Sequence, residues 1–195
     1  MATRLGVFAY GSLVSPESAA RTLGRPVGAS GPGRLRGARR RWSTVRDNHA
    51  SEKTFARRSD GSLPARVLGL NLEPSGDPET APNGVVLELS APEIERLDLR
   101  EMRYDRFVVT AALDPPPNFD EVFAYRAKPG HHAPAPPANA IVIASYVRFV
   151  EAAFGALGPG QRELYLETTE PPPVEVAEAD LVIDRAIPPG NPREW

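Results

Sequence analysis

The 195-residue chain contains no cysteine. That excludes disulfides, thiolate metal sites and a cysteine nucleophile together, and it suits a reducing cytoplasm. Lysine is nearly missing, since of 23 basic residues only Lys53 and Lys128 are lysines. Histidine is confined to His49, His131 and His132. The last two sit in a Pro-rich stretch, so no metal site and no cofactor are expected. No run of about 20 apolar residues exists to cross a membrane as a helix. Met1-Ala2-Thr3-Arg4 is not followed by the apolar core of a signal peptide, and the expected location is cytoplasmic. Charge of one sign is lacking too. A formal net charge of -2 provides no global pull toward nucleic acid or a membrane surface, so neither is an expected partner; oligomeric state stays open.

What is present describes a soluble globular chain, 41% apolar and 25% charged, of a length that suits one core. Residues 1–170 are expected to form one domain, and 171–195 a Pro-rich, partly irregular extension. Leu5–Tyr10 reads as a buried strand ending at Gly11. Ser15-Pro16-Glu17 then starts a helix that Gly24 caps. Residues 25–33 read as a loop and 34–46 as one long strand with Trp42 in the core. Strands are expected at 65–72, 84–89, 104–113 and 119–127. Ser90-Ala91-Pro92-Glu93 has the form of a capping box. Helices are expected over 139–154 and 161–167, and a strand at Leu181-Val182-Ile183. The Pro188-Pro189-Gly190-Asn191-Pro192 end reads as irregular. Strands outnumber helices without alternating with them. That pattern points to an α+β fold, a small mixed β-barrel with helices around it.

One helix carries a carboxylate out of place. With Ser90 as N-cap, Ile94 and Leu97 share a face, and the next position on that stripe is Glu101, with Asp98 beside it. An ionised carboxylate on a buried face needs a partner. The bland account is an ion pair with Arg100, Arg103 or Arg106, or a helix end that turns away. The functional account is a general base in a semi-enclosed pocket. The Tyr10-Gly11-Ser12-Leu13 turn offers less by itself. Gly11 permits a tight turn after a strand, and the following helix aims free amides back at it. It matches neither a phosphate-binding glycine loop nor a nucleophile elbow.

Taken together, four pieces in order resemble the γ-glutamylcyclotransferase-like family. They are Val7-Phe8-Ala9-Tyr10-Gly11-Ser12-Leu13, Gly84-Val85-Val86-Leu87-Glu88-Leu89, Leu97-Asp98-Leu99-Arg100-Glu101 with Tyr104 and Arg106, and Val122-Phe123-Ala124-Tyr125. They span residues 5 to 126. The resemblance implies a small β-barrel with surrounding helices, and one cavity shared by the turn and the glutamate. It implies an enzyme, a lyase or acyltransferase, that releases 5-oxoproline from a small γ-glutamyl amine or peptide by attack of the substrate's own α-amine. In that family picture Glu101 is the general acid/base. Amides of Gly11, Ser12 and Leu13 hold the glutamyl end, and Tyr10 and Tyr125 line the pocket. Where many members have glycine after the glutamate, this chain has Met102-Arg103, whose bulk is expected to narrow the pocket or alter the substrate.

Two other classes compete. The same pocket could bind a glutamate-like metabolite without turnover. The arginines Arg34, Arg36, Arg39, Arg40, Arg41 and Arg46 around Trp42 could form an RNA strip, although a solvated strand face over a core tryptophan is the simpler account. Arg41 and Arg46 are the two expected to face the pocket if any arginine holds an acidic substrate. Met102, Phe107, Phe149 and Phe154 read as core.

Overall fold

Residues 3–77 and 80–185 are described by the computed structural model. Leu5–Ala9 forms β1, buried from Gly6 onward. A single turn of 3-10 helix, Ser12–Val14, links it to α1, Pro16–Leu23. The ends of α1 are those its residues specify. Ser15 accepts a hydrogen bond from the Ser18 amide, Pro16 opens the helix, and Gly24 closes it with φ at 73°.

The long strand expected over 34–46 is two. Gly33–Leu35 (β2) and Ala38–Asp47 (β3) part at Gly37, whose φ of 70° turns the chain from one sheet into another. Lys53–Arg57 (β4), which pattern alone did not reveal, precedes Arg66–Pro74 (β5) and Asn83–Leu89 (β6). Helix α2, Ala91–Arg100, starts at the predicted capping box, in which Ser90 and Glu93 satisfy each other's backbone donors. The strand expected over 104–113 is also interrupted. Tyr104–Val108 (β7) gives way to a turn at Thr110–Ala112, and Leu113–Asp114 (β8) joins β2 instead. Glu121–Ala127 (β9) pairs antiparallel with β7.

The helix expected from residue 139 begins five residues later. Ala140–Ile143 (β10) is a strand, wholly buried, lying parallel to β5. Its Ile141-Val142-Ile143 run favours a strand flanked on both sides over a helix turn. Ala144–Gly155 is α3 and Gln161–Glu167 is α4. Within 171–185, Val176–Ala177 (β11) adds to the far side of β10, and Ala179–Asp184 (β12), which includes the expected Leu181–Ile183 piece, pairs antiparallel with β4. The Pro188–Pro192 segment lies outside the described residues.

Three sheets result, in the orders β7-β9-β1-β6-β2-β8, β11-β10-β5-β3 and β12-β4. The first two curl toward each other as a half-barrel, with four α-helices around them among the described residues. This is the mixed α+β architecture expected, in open rather than closed form. The core lies between the sheets and under α2 and α3, and it takes in Phe8, Trp42, Leu70, Ile94, Leu97, Val150 and Phe154. Trp42 is buried as expected, with its ring edge-on to Tyr146 at 6.0 Å. Met102 is not core: it stands 38% exposed where the chain leaves α2. Phe107 and Phe149 are only partly covered, while Phe154 is fully buried.

Candidate active site

The central strand β1 delivers the turn. It is flanked by β6, antiparallel, with Ala9 opposite Val85, and by β9, parallel, with Val7 opposite Phe123. Gly84 makes that approach possible. A β-carbon there would collide with the Ala9 carbonyl oxygen and lie 2.7 Å from the Phe8 ring. At Gly11 the backbone, with φ at -139° and ψ at -133°, lies outside both the strand and the helix regions. What a side chain would meet there is Tyr146, whose hydroxyl stands 3.4 Å from the missing β-carbon. Within the turn, Val14 donates to the Gly11 carbonyl and Ser15 to that of Ser12. The amides of Gly11, Ser12 and Leu13 precede these bonds.

Helix α2 delivers the carboxylate. Ile94 and Leu97 are buried as their spacing requires, and Glu101 caps the helix end, its amide donating to Leu97. The Glu101 side chain is 17% exposed and lies 3.3 Å from the Arg100 guanidinium. Arg100 itself is more deeply placed. It donates to the Ser18 carbonyl and hydroxyl at 3.0 Å each, to Thr22, and to the Ser12 hydroxyl at 3.4 Å. One arginine thus ties the end of α2 to α1 and to the turn. Of the three partners considered for Glu101, it is Arg100 that takes that place. Arg103 pairs with Glu52, and Arg106 with Asp98 at 3.0 Å.

These pieces enclose a cavity of about 40 Å³. Its lining includes the six residues singled out through the family resemblance: Tyr10, Gly11, Ser12, Leu13, Glu101 and Tyr125. Tyr104, Tyr146 and Leu70 also line it. The tyrosines form a braced set. Tyr10 donates to the Tyr125 carbonyl at 2.9 Å, Tyr125 to the Asp98 carboxylate at 2.7 Å, and Tyr104 to the Leu70 carbonyl at 2.8 Å. Burial drives the Tyr10 and Tyr125 hydroxyls well above the ordinary tyrosine range. Burial, with Glu101 adding to it, pushes Tyr146 up to about 12, against hydrogen bonds from Ser12. All three are therefore neutral hydroxyls at physiological pH. Tyr146 was not singled out as a pocket residue, because it opens a helix whose start had been placed five residues too early. Tyr104, three residues past Glu101, was visible in the pattern but carried no assigned role.

A larger groove of about 440 Å³ adjoins the cavity and shares Ser12, Glu101, Tyr104 and Tyr146 with it. Arg46 and Arg103 line this groove. Arg41 does not; it pairs with Glu73 at 3.0 Å and Glu170 at 2.7 Å on another face. The rest of the arginine strip is also dispersed. Arg39 reaches Glu73, Arg34 donates to the Ala81 carbonyl, and Arg40 is fully buried against the stacked rings of Phe154 and Tyr165. Among the described residues no group of three or more His, Asp or Glu side chains stands close enough to hold a metal ion, and no helix is long and apolar enough to cross a membrane.

No family model matches the chain, and no curated protein matches it significantly in sequence. Solved structures match it in shape. A γ-glutamyl cyclotransferase superposes over 90% of this chain and 94% of its own with a TM-score of 0.58, at 16% identity. A γ-glutamyl cyclotransferase specific to glutathione, from yeast, covers 87% of this chain and 98% of its own, with a TM-score of 0.53 and 14% identity. YkqA from Bacillus subtilis gives a TM-score of 0.55 over 85% of the chain at 15% identity, and here the chain spans about half, 54%, of the other protein's length. At these identities the likeness is one of architecture. The curled half-barrel, with its central β1 and its four helices, is the γ-glutamyl cyclotransferase-like fold.

Proposed function

We propose that the protein is a γ-glutamyl cyclotransferase acting on a small γ-glutamyl amine or peptide. One observation carries the reading: Glu101 and the Gly11–Leu13 turn, far apart in the chain, border the same small cavity. In this reaction the α-nitrogen of the glutamyl group bonds to its own γ-carbonyl carbon, and the bond from that carbon to the leaving nitrogen breaks. The attacking ammonium gives up two protons in becoming a lactam nitrogen, and the leaving amine gains two and departs as an ammonium. Glu101 is the carrier that takes protons from one nitrogen and passes them to the other. The turn amides hold the glutamyl end, and the neutral tyrosines shape the cavity. The nucleophile belongs to the substrate, so folding that substrate into a ring-closing pose supplies most of the advantage. A positioned acid/base adds about 10²–10⁴-fold.

The test is release of 5-oxoproline from a panel of γ-glutamyl amines and peptides. Glu101→Gln is expected to lower kcat by about 10²–10⁴-fold with the fold retained. Full activity in that variant would refute the mechanism. A second reading, a binding protein without turnover, draws on the Arg100–Glu101 pair and on the Tyr10 and Tyr125 hydroxyl protons, which already serve partners inside the protein. It predicts a rise in Tm with 5-oxoproline or a γ-glutamyl compound while no product forms.

A further inference from the structure

A proton carrier in a ring closure must reach two nitrogens, the one that attacks and the one that leaves. Glu101, with Ser12, Tyr104 and Tyr146, borders both the small cavity and the groove beside it. When the glutamyl chain is folded in the cavity, the leaving nitrogen lies at that shared border. Whatever the nitrogen carries then continues into the groove, which holds about 440 Å³ against about 40 Å³ for the cavity.

Apolar side chains converge on the groove from several elements. Phe55 comes from β4, Val67 and Leu68 from β5, Ile143 from β10, Phe149 from α3 and Leu181 from β12. Val67, Leu68 and Ile143 are already buried. Phe55 and Phe149 are half-buried, and Leu181 is 44% exposed. These last three hold apolar area that a bound group would take out of water. The charged side chains of the wall are engaged within the protein. Arg100 donates to Ser18 and Thr22 and lies 3.3 Å from Glu101. Arg103 pairs with Glu52, and Lys53 stands 3.8 Å from Asp184. Arg46 donates to the Lys53 carbonyl at 3.2 Å and lies over the Phe55 ring at 5.1 Å. Arg21 is exposed to solvent. Covering the apolar area is therefore the main gain the groove offers a ligand, with polar groups at the cavity border to fix its orientation.

We propose that this groove receives the leaving half of the substrate and selects an amine that carries a bulky, uncharged apolar group, aromatic or branched aliphatic. The assignment rests on the cyclotransferase reading for what occupies the inner cavity. Phe55, Phe149 and Leu181 are the specificity-determining residues, because theirs is the area that a ligand covers. Phe55 and Leu181 belong to the β4–β12 ribbon, so a strand pair outside the two larger sheets sets much of the preference. A small leaving group leaves this area wet. A polar one gives up water against an apolar wall that does not replace its hydrogen bonds.

The γ-glutamyl derivatives of alanine, glutamine, leucine and phenylalanine, all of the same charge, test this. Two readouts are taken: kcat/KM for 5-oxoproline release by the wild type, and Kd by calorimetry on Glu101→Gln, which does not depend on turnover. The leucine and phenylalanine compounds are expected to lead the alanine compound by about tenfold or more in both. The glutamine compound is expected to stay with alanine despite its length, and the lead to hold as ionic strength rises, since the compounds do not differ in charge. Leu181→Ser, a change at an exposed position, is expected to cut the phenylalanine-to-alanine ratio by about threefold or more, and Phe149→Ala to do the same if its melting curve shows it folded. Equal values for alanine and phenylalanine, a glutamine compound that matches leucine, or a ratio unchanged in Leu181→Ser would overturn the proposal. If no compound yields 5-oxoproline but Glu101→Gln binds the phenylalanine compound about tenfold tighter than the alanine one, the groove assignment stands and the cyclotransferase reading falls. If all turn over equally and bind equally, the reverse holds.

Discussion

Arg100 and Glu101 are neighbours in sequence with opposite tasks. Both follow Leu97 at helical spacing, by three and four residues, so the apolar stripe of α2 had two successors and the sequence could not say which would go deeper. The structure buries Arg100 further, with its side chain 8% exposed against 17% for Glu101. The arginine's fork of donors meets two hydroxyls and a carbonyl on α1, which a carboxylate could not satisfy. Arg100→Met is expected to cost about 3 kcal/mol by leaving those acceptors and Glu101 without it. Urea denaturation measures that cost, and a fall in kcat is expected alongside it. Glu73 shows the same logic away from the site. Burial acts to raise its carboxyl, but hydrogen bonds from Ser43, Arg41 and His132 outweigh this and hold it near 2, against an ordinary 4.5. The folded state therefore binds the proton less readily than the unfolded chain. Stability from this group is complete above about pH 4.5 and is lost as pH falls toward 2. Melting curves across that window are expected to decline by an amount worth on the order of 2–3 kcal/mol, and less steeply in Glu73→Gln.

At the scale of elements, the junction of β1 and β6 sets where the turn sits. Gly84→Ala places a methyl group against the Ala9 carbonyl and the Phe8 ring, so the two strands must move apart just below Tyr10. A loss of about 2–4 kcal/mol is expected from this overpacking, with KM rising as the Gly11–Leu13 amides shift; calorimetric melting and steady-state kinetics read the two effects separately. Elements with local punctuation were legible in the sequence. Ser15-Pro16 and Gly24 framed α1, and Ser90 with Glu93 started α2 at the residue expected. Elements set by their neighbours were not. Ala140–Ile143 continues into α3 without a break, and only its position between β5 and β11 makes it a strand. Lys53–Arg57 lacks apolar alternation because its partner is a strand more than 120 residues later, from Ala179 onward. The candidate site was read through a pattern whose four pieces lie on well-punctuated elements. Tyr146 was missed because it comes from a poorly punctuated one.

For the molecule as a whole, the segment after Pro171 closes the structure. Its β11 covers one side of β10, and its β12 holds β4 and puts Leu181 into the groove. Deleting residues 171–195 is expected to uncover Ile141, Ile143 and Phe55 and to lower Tm by about 5 °C or more. Differential scanning calorimetry checks this. The position of β1 has a consequence in time. This strand precedes both of its neighbours in the chain, β6, opening at Asn83, and β9, opening at Glu121. A growing chain carries Val7, Phe8 and the future cavity turn without a strand partner until β6 is made, and with only one until β9 follows, and contacts of such long sequence separation form late and slowly. Nascent chains ending before Asn83 therefore present an adhesive apolar strand and no pocket, and chaperone demand during synthesis is concentrated on the strand that carries the cavity turn.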